Sequence, residues 1–343
     1  MNELDQWRGM KHTYIDRYLK GRALNTSLIL LGGTGFIGRE VVTAAVRGGW
    51  TVKALARSDK GARTLRQAGA QPVLGDARQP AAWIAETRGA PALIDLLQPA
   101  LPKRLTRAGV RSIATERQAL TAGILEALCD VPVAERPILI SVSGADDLQP
   151  DTTGTISHAS RLRERPTGFA RIGIPVRRQI EASAVDATFV YFGNLVYGPG
   201  KLFAEYYVKG LAAGKARVVG SGANRLPLTH VADAAGALVH LVGLPRQDIV
   251  GRTFVAMDGA DTTQRALLDL TADAMGVKRT GSVPAWIARL VAGHVAVETI
   301  TLDVHADPSA LLATGFRFRY PSPREGVPAA LGSLAITTTP ATG

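Results

Sequence analysis

One stretch constrains this chain more than any other: Gly32-Gly33-Thr34-Gly35-Phe36-Ile37-Gly38. It follows residues 27–31 (SLILL), an apolar run that predicts a buried parallel strand. It precedes REVVTAAVRGG, a helical pattern ending on a glycine pair. Strand, glycine loop and helix in that order open a βαβ unit. Gly32 permits the sharp turn out of the strand, Gly35 lets a pyrophosphate approach the backbone, and Gly38 lets the helix pack on the strand. The helix N-terminus then offers unpaired N–H groups and the positive end of its dipole to phosphate. The loop predicts a dinucleotide site, with Thr34, Phe36 and Ile37 as further contacts.

The rest of the chain repeats the alternation. Strands are expected at 51–56, 71–74, 92–97, 137–142 and 187–192, and helices at 59–68, 112–128 and 174–184. Alternating strands and helices mean an α/β fold, a Rossmann-type doubly wound parallel sheet. Past Gly193 the texture changes to a Gly-rich stretch over 198–222 around a helical segment, a helix at 229–243, and further helical patterns with a Pro-rich end. The expected division is a dinucleotide-binding domain over 27–192 plus about 229–262. A smaller, discontinuous substrate domain takes 193–228 plus 263–335. Residues 336–343 read as a tail. Residues 1–26 read as an extension with Leu4, Trp7, Ile15, Tyr18 and Leu19 at partly helical spacing, able to pack on the body or on a second copy in a homodimer.

Composition narrows the classes. With 343 residues, 46% of them hydrophobic, the chain has a core to bury and is no disordered polymer. A single cysteine, Cys129, excludes a disulfide scaffold. No 18-residue uncharged apolar run appears, so no membrane span or membrane partner is expected. Without an apolar leader, the expected compartment is the cytoplasm. Six scattered histidines predict no metal site, and His305 beside Asp303 and Asp307 reads as a surface loop. The net charge of +11 asks for an anionic partner. Nucleic acid is not expected, because no aromatic-interleaved basic run or DNA-binding motif occurs.

The GxxGxxG spacing resembles the short-chain dehydrogenase/reductase superfamily, in its extended NAD-dependent epimerase/dehydratase branch. Other stretches carry the resemblance in order: VLGDA at 73–77, SVSG at 141–144, GNLVYGPG at 193–200, THVAD at 229–233 and GFRFRYPSPREG at 315–326. It covers about residues 27–335. It implies that Asp76, with Ala77 beside it, meets the adenine, that Leu97 lines the cofactor after the fourth strand, and that Ser143 polarises a substrate oxygen. Arg57-Ser58 follow the second strand, where an acid would favour NAD and an arginine can pair with a 2′-phosphate. NADP(H) is therefore favoured over NAD(H).

The resemblance also implies a tyrosine and, four residues on, a lysine that lowers its pKa. Among the seven tyrosines only Tyr197 has such a lysine, Lys201, and the intervening Gly-Pro-Gly forbids a helix that would stack them. Aligning Glu181 with the acid that often follows the family's lysine puts Arg177 at the lysine position and Gly173 at the tyrosine position. An arginine is no proton donor near neutral pH, though it can hold a ribose or an anionic substrate. The candidate catalytic groups are therefore Ser143, Arg177, Tyr191 and His158, with Asp147 as a further proton source. Residues 103–111 and 161–178 are Arg-rich and adjoin the sheet's ligand-binding edge, which points to a small anionic substrate. The expected function is an NADP(H)-dependent reductase, or a redox-neutral dehydratase or isomerase, with a non-standard proton relay. The alternative is a catalytically silent NADP-binding regulator or scaffold of NmrA-like type.

Overall fold

The computed structural model describes residues 27–101 and 104–338; the extension over 1–26, Pro102, Lys103 and the last five residues lie outside them. Seven parallel strands form the central sheet: β1 (Ser27–Leu31), β2 (Thr51–Ala56), β3 (Gln71–Leu74), β4 (Ala92–Asp95), β5 (Ile138–Gly144), β7 (Ala187–Phe192) and β11 (Thr253–Val255). Their order is β11-β7-β5-β4-β1-β2-β3. The chain winds from β1 to the β3 edge, then crosses to β4 and winds the other way, so the crevice between β1 and β4 is the switch point where such sheets bind ligands. Central strands read as continuous apolar runs because helices cover both faces. All six residues of β7 (ATFVYF) are buried, whereas edge strand β3 (QPVL) is half-exposed and accommodates Pro72.

Helices α1 (Phe36–Arg47) and α5 (Val231–Val242) cover one face, where Val41, Val42, Ala234, Ala237 and Leu238 pack with Leu28 and Ile140. On the other face, α3 (Arg107–Cys129) and α4 (Ala170–Glu181) bring Ile124, Leu128, Val176 and Ile180 against Leu93 and Phe189. Helix α2 (Asp59–Gln67) joins β2 to β3. A separate apolar cluster unites Tyr197, Phe203, Tyr207, Leu228, Leu267 and Val327. It draws on the parallel pair β8 (Leu195–Tyr197) and β10 (Leu228–His230), a π-helical segment at Phe203–Lys209, and helices α6 (Gln264–Met275) and α9 (Pro323–Thr338). Two short parallel pairs complete the strands: β9 (Val218–Val219) with β12 (Ser282–Val283), and β6 (Thr155–Ile156) with β13 (His305–Ala306). Helices α7 (Ala285–Ala292) and α8 (His294–Ile300) meet at Gly293.

Several expected boundaries shift for identifiable reasons. Strand β4 ends at Asp95, not 97, because the Asp95 carboxylate accepts the Leu97 N–H at 2.9 Å and turns the chain. Leu97 therefore lies in a loop. The helix expected at 174–184 begins at Ala170 and contains Pro175. Its start is set from outside, since the Asp146 carboxylate accepts the N–H groups of Phe169 and Ala170 at 2.6 and 3.2 Å. Helix α3 starts at Arg107, five residues before 112, on a Thr106 cap. Strand β5 runs to Gly144, and α9 continues to Thr338 into the stretch expected as tail.

Candidate active site

The glycine loop brings its backbone close to its neighbours and leaves a helix N-terminus without side-chain caps. Gly32 has φ +79°, a region that L side chains rarely adopt, and a Cβ there would stand 2.7 Å from the Leu96 carbonyl oxygen. A Cβ on Gly38 would overlap the Gly32 carbonyl oxygen, so α1 reaches β1 only because that position is bare. Gly35 is the N-cap of α1 and supplies no side chain to its first turn. Thr34 and Gly35 are exposed, while Phe36 and Ile37 are half-buried. These residues fit a dinucleotide: an exposed helix N-terminus, bare backbone and no carboxylate in the first turn.

The other predicted cofactor residues fall on the same edge. Arg57 and Ser58 follow β2 and are exposed; Ser58 caps α2 by accepting the Gly61 N–H at 3.2 Å. A Cβ on Gly61 would lie 3.7 Å from the Thr34 methyl, which brings the start of α2 beside the loop. Asp76 and Ala77 follow β3 and are half-buried, and Asp76 accepts the Arg78 N–H at 2.9 Å. Leu97 is half-buried in the loop after β4.

Beyond the cofactor edge, Ser143 stands half-buried near the end of β5. Its hydroxyl donates to the Asp147 carboxylate at 2.6 Å. Asp147 lies in the turn directly after β5 and is fully buried, with Oδ1 lacking a hydrogen-bond partner. Burial and the neighbouring Asp146 charge push its carboxyl well above the usual range, against the weaker pull of the Ser143 hydroxyl, Arg177 and Arg163. Asp146 is pushed to about 6 by burial, opposed by the backbone N–H groups of Phe169 and Ala170. Gly173, at the position aligned with the missing tyrosine, faces this pair. A Cβ there would overlap both Asp147 carboxyl oxygens and the Ser143 hydroxyl.

The remaining candidates divide. Tyr191 pairs with Ser143 in the sheet register and is buried, which raises its phenol. Arg177 lies beside it, where its charge opposes the rise of the Tyr191 phenol and of the Asp147 carboxyl, and it has further partners. Its Nε donates to Glu181 at 2.6 Å, its Nη1 to Thr253 at 3.2 Å, and its guanidinium stacks 3.2 Å from the Phe189 ring centre. His158 is exposed and lines a cavity of about 660 Å³ with Arg252, Thr253, Phe254, Ser309 and Ala313, at edge strand β11. The structure therefore groups Ser143, Asp147 and Tyr191, and places His158 at a different part of the sheet. Tyr197 is fully buried while Lys201 is exposed with φ 50°, so they form no catalytic pair. Among the described residues no cluster of three metal-ligating side chains occurs, and no helix is long and apolar enough to cross a membrane.

Asn194 and Arg163 were not singled out as site residues from sequence. Asn194 accepts the Asp146 N–H at 3.2 Å, and the Arg163 N–H donates to the Asp147 carbonyl at 2.9 Å. Asn194 lies within the GNLVYGPG turn, which is its signal in the sequence; Arg163 offers only its charge.

The fold and the glycine cradle define a nucleotide-binding protein of the Rossmann type. A family model described as NAD(P)H-binding matches residues 32–218, over half of the chain, and the chain belongs to that family. A second model, a domain of unknown function (DUF1731), matches residues 283–326. Over 272 residues, 76% of this chain and 77% of the relative, it is 27% identical to a 4-hydroxy-2-methyl-3-oxo-4-farnesyl-3,4-dihydroquinoline-1-oxide ketoreductase of Stigmatella aurantiaca. A 69-residue stretch is 38% identical to the photosystem II assembly factor Ycf39 of Trieres chinensis, spanning 20% of this chain and 22% of that one. Among solved structures, the human epimerase family protein SDR39U1 with NADPH superimposes with a TM-score of 0.74 at 19% identity, over 90% of this chain and 100% of that one. The dTDP-glucose 4,6-dehydratase DesIV of Streptomyces venezuelae follows at 0.69 and 20%, over 89% and 96%. The fold is thus that of the epimerase/dehydratase branch of the short-chain dehydrogenases/reductases.

Proposed function

We propose that this protein is an NADP(H)-dependent reductase of a small carbonyl metabolite. The observation that carries the reading is Ser143. Its hydroxyl is half-buried at the carboxyl end of the sheet, where the glycine cradle also opens, and it is backed by a buried acid. A bound dihydronicotinamide would supply hydride. The chain's own part is to orient the carbonyl, to donate a hydrogen bond to its oxygen from Ser143, and to deliver a proton there. The ketoreductase among the relatives supports reduction over redox-neutral chemistry.

NADP(H) over NAD(H) rests on exposed Arg57 after β2, supported by NADPH in the SDR39U1 neighbour. An anionic substrate has narrower support than the arginine count suggested. Arg107, Arg171 and Arg177 each face a partner in the chain: Glu298 for the first two and Glu181 for the third. Arg104, Arg161 and Arg165 are exposed, and they are among the arginines of 103–111 and 161–178 left to support an anionic substrate.

Ser143→Ala tests the reading. Turnover of a carbonyl probe with NADPH should fall by about 10²-fold or more while NADPH affinity, followed by its fluorescence, is kept. Unchanged turnover would remove Ser143 from the reaction. The second reading, a nucleotide-binding protein without turnover, is favoured by the missing Tyr–Lys pair and by the assembly-factor match. It expects NADPH binding with no reduction in the wild type.

A further inference from the structure

This inference rests on the carbonyl-reduction reading above and concerns the source of its proton. In the resembled family a tyrosine would project from α4 at position 173. Here that position is a glycine, and the space before it is filled by the Asp147 carboxyl and the Ser143 hydroxyl. The fit is close enough that no side chain, not even alanine, could share it without pushing the two apart. Asp147 is fully buried, one carboxyl oxygen bonded to Ser143 and the other without a partner. A buried carboxylate with an orphaned oxygen is a costly species, and a neutral carboxylic acid there costs far less.

We propose that Ser143 and Asp147 form a two-member proton relay that stands in for the missing tyrosine: Ser143 touches the substrate, and Asp147 acts through it. The groups facing Asp147 come from every element packed on it. Asp146 adjoins it on the same turn and Ser143 faces it from β5. Arg163 comes from the loop after β6, Arg177 from α4 and the Tyr191 phenol from β7. Asp146 accepts N–H groups from Phe169, Ala170 and its own backbone, so it is the member of the acid pair that ionises first. Its charge and the burial then keep Asp147 protonated; the two arginines oppose this more weakly.

With Asp147 neutral, the 2.6 Å contact runs in the opposite sense. The carboxylic O–H donates to Ser143 Oγ, and the serine hydrogen turns to the substrate oxygen. A bound dihydronicotinamide would supply hydride, with its electron pair, to the carbonyl carbon, and the C=O π pair would move to oxygen. That oxygen takes the Ser143 proton, and Ser143 takes the proton of Asp147. An alcohol and an Asp147 carboxylate would result, with the nicotinamide left oxidised, and solvent would return one proton to Asp147. Tyr191 is too deeply buried to meet substrate directly.

Asp147→Asn keeps the shape and can still donate to Ser143, but it has no carboxyl proton to give. With phenanthrenequinone as the carbonyl probe and NADPH as reductant, kcat should fall by about 10²-fold or more with NADPH affinity unchanged. Wild-type kcat should decline as pH rises through the Asp147 titration, and the variant should lack that limb. The infrared spectrum of the cofactor-free protein at neutral pH should contain a protonated-carboxyl band that Asp147→Asn removes. Wild-type kcat and pH profile in the variant would overturn the relay and leave Asp147 as a mere support for Ser143. Turnover without the infrared band would overturn the relay alone. The band without any wild-type turnover would sink the reductase reading and the relay with it, leaving only a buried neutral acid.

Discussion

At the scale of single residues, glycine does two different things in this chain. Gly32 and Gly38 are bare because a backbone must turn or approach, which the loop motif already states. Gly173 is bare because two polar side chains from another element occupy its side-chain space. Inside a helix, Gly→Ala ordinarily stabilises by about 0.5–1 kcal/mol. Gly173→Ala should instead destabilise, by about 1–3 kcal/mol in urea unfolding, because the new methyl overlaps both Asp147 carboxyl oxygens and the Ser143 hydroxyl. A gain in stability would show that Asp147 and Ser143 move aside freely. Arg57 poses the other residue-scale question. Arg57→Asp exchanges a partner for a 2′-phosphate with one for a ribose hydroxyl, so NADPH affinity should fall at least tenfold more than NADH affinity, about 1.4 kcal/mol of discrimination. Titrating both dinucleotides into both proteins checks it, and equal losses would release Arg57 from the cofactor.

At the scale of elements, the legible features were those written in local periodicity. The apolar runs of β1, β4, β5 and β7, and the strand–loop–helix opening, carry their own signals, and the sheet order follows from alternation and handedness. What could not be read is what one element does to another at long sequence separation. Helix α4 begins at Ala170 because Asp146, 24 residues earlier, accepts its first N–H groups. Phe169 before it caps nothing with its side chain. Strand β4 stops at Asp95, which is buried, paired with Arg117 of α3 at 2.6 Å, and bonded to the Leu97 N–H. In sequence, Asp95 reads as one acid in an apolar run and Arg117 as one cation on a long helix; only the fold brings them together. The candidate site was half-legible for the same reason. Ser143 sits in a recognisable strand end and Arg177 at a countable offset. The commitment of Arg177 to Glu181 and Thr253, and of Asp147 to the space at Gly173, depends on side chains meeting across three elements.

At the scale of the whole molecule, the later motifs act as one joint. Asp233 of THVAD accepts the N–H groups of Arg319 and Tyr320 at 2.6 and 3.0 Å and so fixes the closing motif. The Tyr320 ring lies 4.1 Å from that of His230, which meets Tyr197 edge-on at 5.1 Å. The turn after Tyr197 packs Gly200 against Phe36 of the cofactor loop, where a Cβ would stand 3.2 Å from the ring. Asp258, just past β11, completes the joint. Its N–H donates to the Leu228 carbonyl, and burial, with Asp233 and Glu325 nearby, raises its carboxyl to about 7. This gives the joint a pH dependence of definite sign. Below the unfolded value of 3.8, Asp258 is protonated whether folded or not. Between that value and about 7 the folded chain keeps a proton that the unfolded chain has released, so stability falls as pH rises. Above about 7 the loss is complete and constant. Asp258→Asn retains an oxygen for the Ala260 N–H at 2.9 Å but has no proton to lose. Relative to wild type, the variant should therefore gain stability on going from pH 4.5 to pH 8, on the order of a few kcal/mol. Urea unfolding of both proteins at the two pH values measures this. An equal difference at both would show that Asp258 is ionised in the folded chain throughout, and that the joint holds a charge rather than a neutral acid.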